Sequence, residues 1–287
     1  MNTKIQSEMS YDVPVRDLWE AITNADNFSK WYYKIAHFSL TPGDTYSFYD
    51  SESKTHFHEC TVLECIPQEK LVHTWKLPLE SKGTSTVHWV VSAIDDKHSK
   101  LTIIQEGIEN LADGGPKFTA KNLQRGWDTL IQVSLRNYLY LIEKLHFSIN
   151  INAPKNRVWE ELTNKASYKT WTQTFCEGSI LKGDMKLNGR IHFLNERGNG
   201  LYSDIVYFKV NERIMYKHLG LVENNQELPL DESSKRWTGC FESYKLMEIN
   251  DNTTELEVSI DVVDASLECY RKKFPDGLVI FKELCEA

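Results

Sequence analysis

The sequence predicts an α+β chain in which one domain pattern occurs twice in tandem. Three observations predict it: a long apolar-striped helix in the middle, a run of short strand-like segments ahead of it, and the return of the same landmarks after it. From about Phe118 to Leu145, the residues Leu123, Trp127, Ile131, Leu135, Tyr138, Ile142 and Leu145 follow at steps of 4, 4, 4, 3, 4 and 3. That is the spacing of one helix face. Leu130, Val133 and Leu141 widen the stripe, while Lys121, Gln124, Asp128, Arg136 and Glu143 fall mostly off it. At ~1.5 Å per residue the helix is about 40 Å long, enough to cross a small domain. His146 to Ile151 then reads as a strand with no linker before it. Residues 1–145 are therefore expected to form the first domain and 146–287 the second.

Each element of the first copy has its own signature. Residues 4–13 read as an opening strand ending at Val13-Pro14, and Pro14 suits a first helical turn, where its missing N–H is not needed. Leu18, Trp19 and Ile22 give that helix an apolar face. Thr23-Asn24-Ala25-Asp26 ends it, with Asp26 placed to cap a short second helix carrying Phe28 and Trp31. Strands are expected over 37–40, 45–49, 57–66, 71–77, 87–94 and 101–106, separated by Pro42-Gly43-Asp44, by Pro67 to Lys70 and by Asp95 to His98. Glu109 to Pro116 reads as a loop before the long helix.

The second half repeats this order. Val13-Pro14 matches Ala153-Pro154, Leu18-Trp19-Glu20 matches Val158-Trp159-Glu160, and Thr23-Asn24 matches Thr163-Asn164; Trp31 matches Trp171 and Gly43-Asp44 matches Gly183-Asp184, all at an offset of 140. Further on the offset is 143 for Lys70-Leu71 and Arg213-Ile214, 151 for Leu77-Pro78-Leu79 and Leu228-Pro229-Leu230, and 155 for Leu101 and Leu256. An offset that only grows, and grows in loops, is what insertions into a duplicated domain produce. The second copy's closing helix is expected from about Pro275 to Glu286, shorter than the first.

At 287 residues the chain is natural for two domains, and 41% hydrophobic with 26% charged residues is ordinary for a soluble globular protein. A net charge of −8 argues against nucleic acid as partner. The six cysteines form no CxxC pair, and no apolar run is long enough to span a membrane. Without an apolar segment near Met1 the expected location is cytoplasmic, with reduced thiols.

Taken together, Pro14 to Trp31, Gly43-Asp44, Ile66 to Trp75 and Gly126-Trp127 resemble the START-like superfamily, also called SRPBCC. The branch they resemble is the one named after the activator of the heat-shock-protein ATPase. The resemblance covers nearly all of residues 5–145 and, more weakly, 146–287. It implies a helix-grip domain, an antiparallel sheet wrapped around the closing helix with a cavity between them. Members bind or process hydrophobic small molecules, some as polyketide cyclases or aromatases, others as transfer or stress-related modules. The eukaryotic co-chaperone carries much of its ATPase stimulation on a separate amino-terminal domain, whereas here the extra half is a second copy.

The cavity candidates are Trp31, Phe48, His58, Trp75, Trp89 and Trp127 in the first copy, with Trp171 and Trp237 in the second. The paired tryptophans Trp19/Trp159 and Trp31/Trp171 read more simply as core wedges between the short helices and the sheet. Trp75, Trp89 and Trp127 have no Trp counterpart in the second copy, which fits either core or a ligand in one domain only. His56 and His58 share one strand face beside Glu59, and an exposed face is their default. No third ligand is specified, so neither a metal nor a cofactor is expected. His58, His73 and His88 lie on three different strands, from which inward imidazoles could serve as general acid or base. No phosphate loop, nucleophile elbow or HExxH helix is present.

The expected function is a non-catalytic binding module with a cavity for a lipid- or polyketide-like molecule in at least one domain. A cyclase or aromatase-like enzyme is the alternative. A protein-docking or co-chaperone-like module is a third reading, with the acidic stretch Glu223 to Glu232 as contact or with self-association.

Overall fold

The computed structural model describes residues 3–50, 54 and 56–287, the side chains of Glu232 and Ser233 apart. Its contacts divide into two compact units, Met1–Leu139 and Tyr140–Ala287. In the first unit β1 (Lys4–Tyr11) is followed by α1 (Val15–Thr23), α2 (Ala25–Phe28), β2 (Thr45–Tyr49), β3 (Phe57–Ile66), β4 (Lys70–Trp75), β5 (Ser85–Ala93) and β6 (Ser99–Glu106). The sheet order is β1-β6-β5-β4-β3-β2, antiparallel throughout. Alternating burial along β5 and β6 turns Val87, Trp89, Val91, Leu101 and Ile103 toward the core. Leu18, Trp19, Ala21 and Ile22 of α1 join the same core.

Several local expectations change. Asn24, not Asp26, caps α2, because its side chain accepts from the Asn27 N–H at 3.1 Å while Asp26 already lies inside the helix. The strand expected over 37–40 does not form; Ala36 makes one isolated bridge to Ser47, and His37 turns the chain with a φ of 54°.

The closing helix stops earlier than its apolar stripe. It comprises α3 (Ala120–Thr129), a π-helical turn over Leu130–Leu135, and α4 (Arg136–Leu139). Leu141 then adopts a φ of 55° and β7 (Ile142–Ile151) begins. Ile142 and Leu145 are buried strand residues; three apart, they extended a helical spacing past the break. The buried Tyr11 hydroxyl donates to the Ile131 carbonyl at 2.7 Å, inside the π-helical turn.

The second unit continues with α5 (Lys155–Thr163), α6 (Lys165–Trp171), β8 (Ile180–Gly183), β9 (Arg190–Leu194), β10 (Gly200–Lys209), β11 (Arg213–Glu223), β12 (Gln226–Glu227), α7 (Glu232–Trp237), β13 (Phe241–Asn250), β14 (Thr253–Val263) and α8 (Leu267–Glu286). The sheet order is β7-β14-β13-β11-β10-β9-β8, with β12 paired to β11. It repeats the first sheet strand for strand and adds β8 where the first has only the Ala36 bridge. The closing helix α8 runs for 20 residues through Pro275 instead of starting there. Phe274, Leu278 and Phe281 bury its inner face.

The offset between copies also rises and falls. β2 begins at Thr45 and β9 at Arg190, an offset of 145; β3 begins at Phe57 and β10 at Gly200, an offset of 143. Gly43 and Gly183, matched in the sequence, are not equivalent in the fold: the Gly43 N–H donates to the Val62 carbonyl as the Asn188 N–H donates to the Ile205 carbonyl, the two donors at an offset of 145, and the first copy has the longer connection after Tyr49.

Candidate ligand-binding site

The second domain holds a cavity of about 650 Å³ between the inner sheet face, α6 and α8. Three strands build its polar wall. β10 and β11 pair with Ser203 opposite His218, and β11 and β13 pair with Tyr216 opposite Glu242. Ser203 Oγ lies 2.8 Å from His218 Nδ1, and His218 Nε2 lies 3.4 Å from Glu242 Oε2. The Tyr244 hydroxyl donates to the other Glu242 oxygen.

This looks like the ingredients of a serine nucleophile, but the chain runs the other way. Ser203 is completely buried and does not line the cavity; Glu242 and Tyr244 do. The group delivered to the cavity is a carboxylate, backed by an imidazole and a hydroxyl.

Aromatic rings make the remaining walls. Tyr168 stands 5.9 Å from Trp171 and 5.8 Å from Phe193, and Phe175 stands 5.7 Å from Tyr270, centroid to centroid. All five line the cavity. The phenols of Tyr168, Tyr216, Tyr244 and Tyr270 are raised above their ordinary value, first by burial and next by the Glu242 charge. All four are neutral hydroxyls at physiological pH. No group of three His, Cys, Asp or Glu among the described residues is arranged to hold a metal ion.

Of the sequence candidates, Trp171 lines this cavity, while Trp237 is half-buried on α7 and is not among its lining residues. The first-domain candidates meet in one aromatic core. Trp127 stands 5.7 Å from Trp89 and 6.4 Å from Trp75, Trp89 is 6.4 Å from Trp31, and Phe48 stacks on His58 at 4.5 Å. The histidines do not all converge. His73 is buried, and its Nε2 accepts from the Trp89 indole at 3.0 Å while Nδ1 lies 2.8 Å from the Thr74 carbonyl. His58, expected on an exposed face, is also buried, with both ring nitrogens lacking a hydrogen bond and Asp50 Oδ2 3.6 Å away. Burial lowers both imidazoles to about 4. His88 points to the other sheet face, 3.7 Å from Glu106.

Strand register ties the two sets of residues together. Val62 faces His73 and Ile205 faces Tyr216, so β3 and β4 map onto β10 and β11 at an offset of 143. Val87 faces His73 as Glu242 faces Tyr216, so β5 maps onto β13 at 155. Phe48, His58, Trp75 and Trp89 thus correspond to Phe193, Leu201, His218 and Tyr244. Phe193, Leu201 and Tyr244 line the cavity, as does Trp171, the counterpart of Trp31. Glu242, the counterpart of Val87, had no signal in the sequence.

Residues 12–139 match the family model described as activator of Hsp90 ATPase homolog 1-like protein. The first domain belongs to that family. The matched stretch is nearly the whole of this AHSA1 domain and less than half of the chain. Each domain of the chain has the START-like arrangement, an antiparallel sheet with a closing helix against it. No curated protein matches the sequence. Among solved structures, the chain is similar to DynU16, a protein of the dynemicin biosynthetic locus, at 15% identity and a TM-score of 0.40 over 99% of this chain and 97% of that one. It is similar to BexL, a di-domain ARO/CYC of the BE-7585A biosynthetic pathway, at 12% identity and a TM-score of 0.41 over 99% of each chain. Half of it is similar to the Aha1 dimer from Colwellia psychrerythraea, at 19% identity and a TM-score of 0.39 over 50% of this chain and 96% of that one. No helix among the described residues is long and apolar enough to cross a membrane.

Proposed function

We propose that the protein is a binding module for a largely apolar small molecule, lipid- or polyketide-like in size, held in the second domain. The observation that carries this reading is the cavity of about 650 Å³, whose aromatic walls stand around the hydrogen-bonded pair Glu242 and Tyr244. Ligand sites of ~300–1,000 Å³ combine apolar walls with few placed polar groups in this way. The test is native mass spectrometry of gently purified full-length protein, repeated after denaturation. The expected result is a bound mass of a few hundred daltons, on the order of what such a volume holds, released on unfolding. A bare protein mass that also fails to take up added apolar dyes would refute it.

A second reading has its own support. Glu242 touches the cavity with His218 behind it at 3.4 Å, a disposition suited to moving a proton to or from a bound carbonyl compound. On this cyclase-like reading Glu242 is the catalytic group. A ligand recovered chemically changed after incubation with the protein, and unchanged with Glu242→Gln, would favour it over binding alone.

A further inference from the structure

We propose that the molecule held in the second domain is a cation, an ammonium- or amidinium-bearing apolar compound whose charged end rests against Glu242 inside a ring of aromatic faces. This rests on the cavity being a binding site, as argued above, and adds the chemical class of its occupant.

The charge inventory of the cavity points this way. Two carboxylates line it, Glu242 in its wall and Glu223 at its exposed edge, and none of its lining residues is Lys, Arg or His. The Glu242 side chain is only 16% exposed, and among the ion pairs of the described residues its one partner is His218, on the protein side. Its neighbours are otherwise phenols and rings. A carboxylate so placed has lost much of its hydration, and beyond the Tyr244 hydroxyl and His218 it gains a further favourable interaction from a positive or donating group entering the cavity.

The walls suit the same occupant. Tyr168, Trp171, Tyr244 and Tyr270 present electron-rich rings around the space Glu242 faces, and such rings attract a desolvated cation across their faces. The raised phenols of Tyr168, Tyr216, Tyr244 and Tyr270 report the same negative field, since Glu242 contributes to each. An anionic ligand such as a fatty acid meets repulsion here and no basic anchor. That separates this cavity from one built for a carboxylate-headed lipid.

Two isosteric probes test the charge alone. Benzyltrimethylammonium and neopentylbenzene share one shape, with the nitrogen cation of the first replaced by carbon in the second. Each is titrated against Nile red bound to the full-length protein, in wild type and in Glu242→Gln, with thermal melting to verify folding. The expected result is that Glu242→Gln weakens the cation by roughly tenfold or more, and the neutral isostere by no more than about twofold. Tyr270→Leu, which removes a ring and leaves the carboxylate, is expected to weaken the cation selectively by several-fold; it decides the matter should Glu242→Gln not fold. Equal losses for both probes, or none for either, would overturn the proposal while leaving the binding reading intact. If neither probe nor Nile red binds wild type, the binding reading itself fails.

Discussion

Acidification should destabilise the first domain through His73, and the structure sets the size of the effect. His73 is buried, its Nε2 accepts the Trp89 indole N–H, and burial lowers it from 6.5 to about 4. Protonation would also turn that acceptor into a second donor facing the indole. Between pH 6.5 and 4 the unfolded chain therefore holds a proton that the folded chain refuses. Stability is full above pH 6.5 and falls as pH drops toward 4. At about 1.4 kcal/mol per pH unit the loss reaches about 3 kcal/mol, and roughly 2 kcal/mol of it is gone by pH 5. Urea unfolding followed by tryptophan fluorescence at pH 7 and pH 5 measures it, in wild type and in His73→Gln. The glutamine keeps a donor and an acceptor but does not titrate in this range, so its own pH dependence should be smaller by about 2 kcal/mol. His58, also lowered to about 4, cancels in that difference. Equal pH dependence in both proteins would refute the assignment of His73 as a neutral, buried imidazole.

Other perturbations have equally definite outcomes. Tyr11→Phe leaves the Ile131 carbonyl without its 2.7 Å partner and should cost about 1–3 kcal/mol in urea unfolding. Gly183→Ala should destabilise more than Gly43→Ala in the first copy. Both glycines have positive φ, at +120° and +95°, but a Cβ at 183 would stand 2.0 Å from the Arg190 carbonyl oxygen, whereas one at 43 meets nothing within 4 Å. Equal melting temperatures for the two variants would contradict this. Leu201→Trp places a large ring at the cavity wall and should abolish retention of any co-purifying ligand in native mass spectra, with melting temperature little changed.

The fold was legible because duplication gives an independent check on each element. Pro14 and Pro154, Trp19 and Trp159, and Asn24 and Asn164 recur at one offset, and both asparagines cap the following helix in the structure. What failed was local. Ile142 and Leu145 kept a helical spacing across a helix end that depends on one residue, Leu141, in a left-handed conformation, and nothing in a leucine announces that. Pro275 reads as a helix start by its missing N–H, yet α8 carries it mid-helix, where flanking Phe274 and Leu278 are buried. Tertiary burial outweighed the local preference there.

For the proposed site, inward strand positions were legible in the sequence and an occupant was not. Wide rings on inward strand positions suggested a pocket wall, and the sheet register shows that these positions do form one, in the other copy. In the first domain Trp75 and Trp89 close on Trp127 at 6.4 and 5.7 Å. Their counterparts His218 and Tyr244 are smaller and polar, and Val87 is replaced by Glu242. Larger inward side chains take up more of a domain's interior; trading two indoles for an imidazole and a phenol, with a carboxylate beside them, leaves room and charge at the same positions. Reading aromatic richness as a mark of a pocket therefore pointed to the copy with the larger inward side chains. Comparing the two copies position by position, and asking where bulk was lost while a carboxylate was gained, singles out 218, 242 and 244.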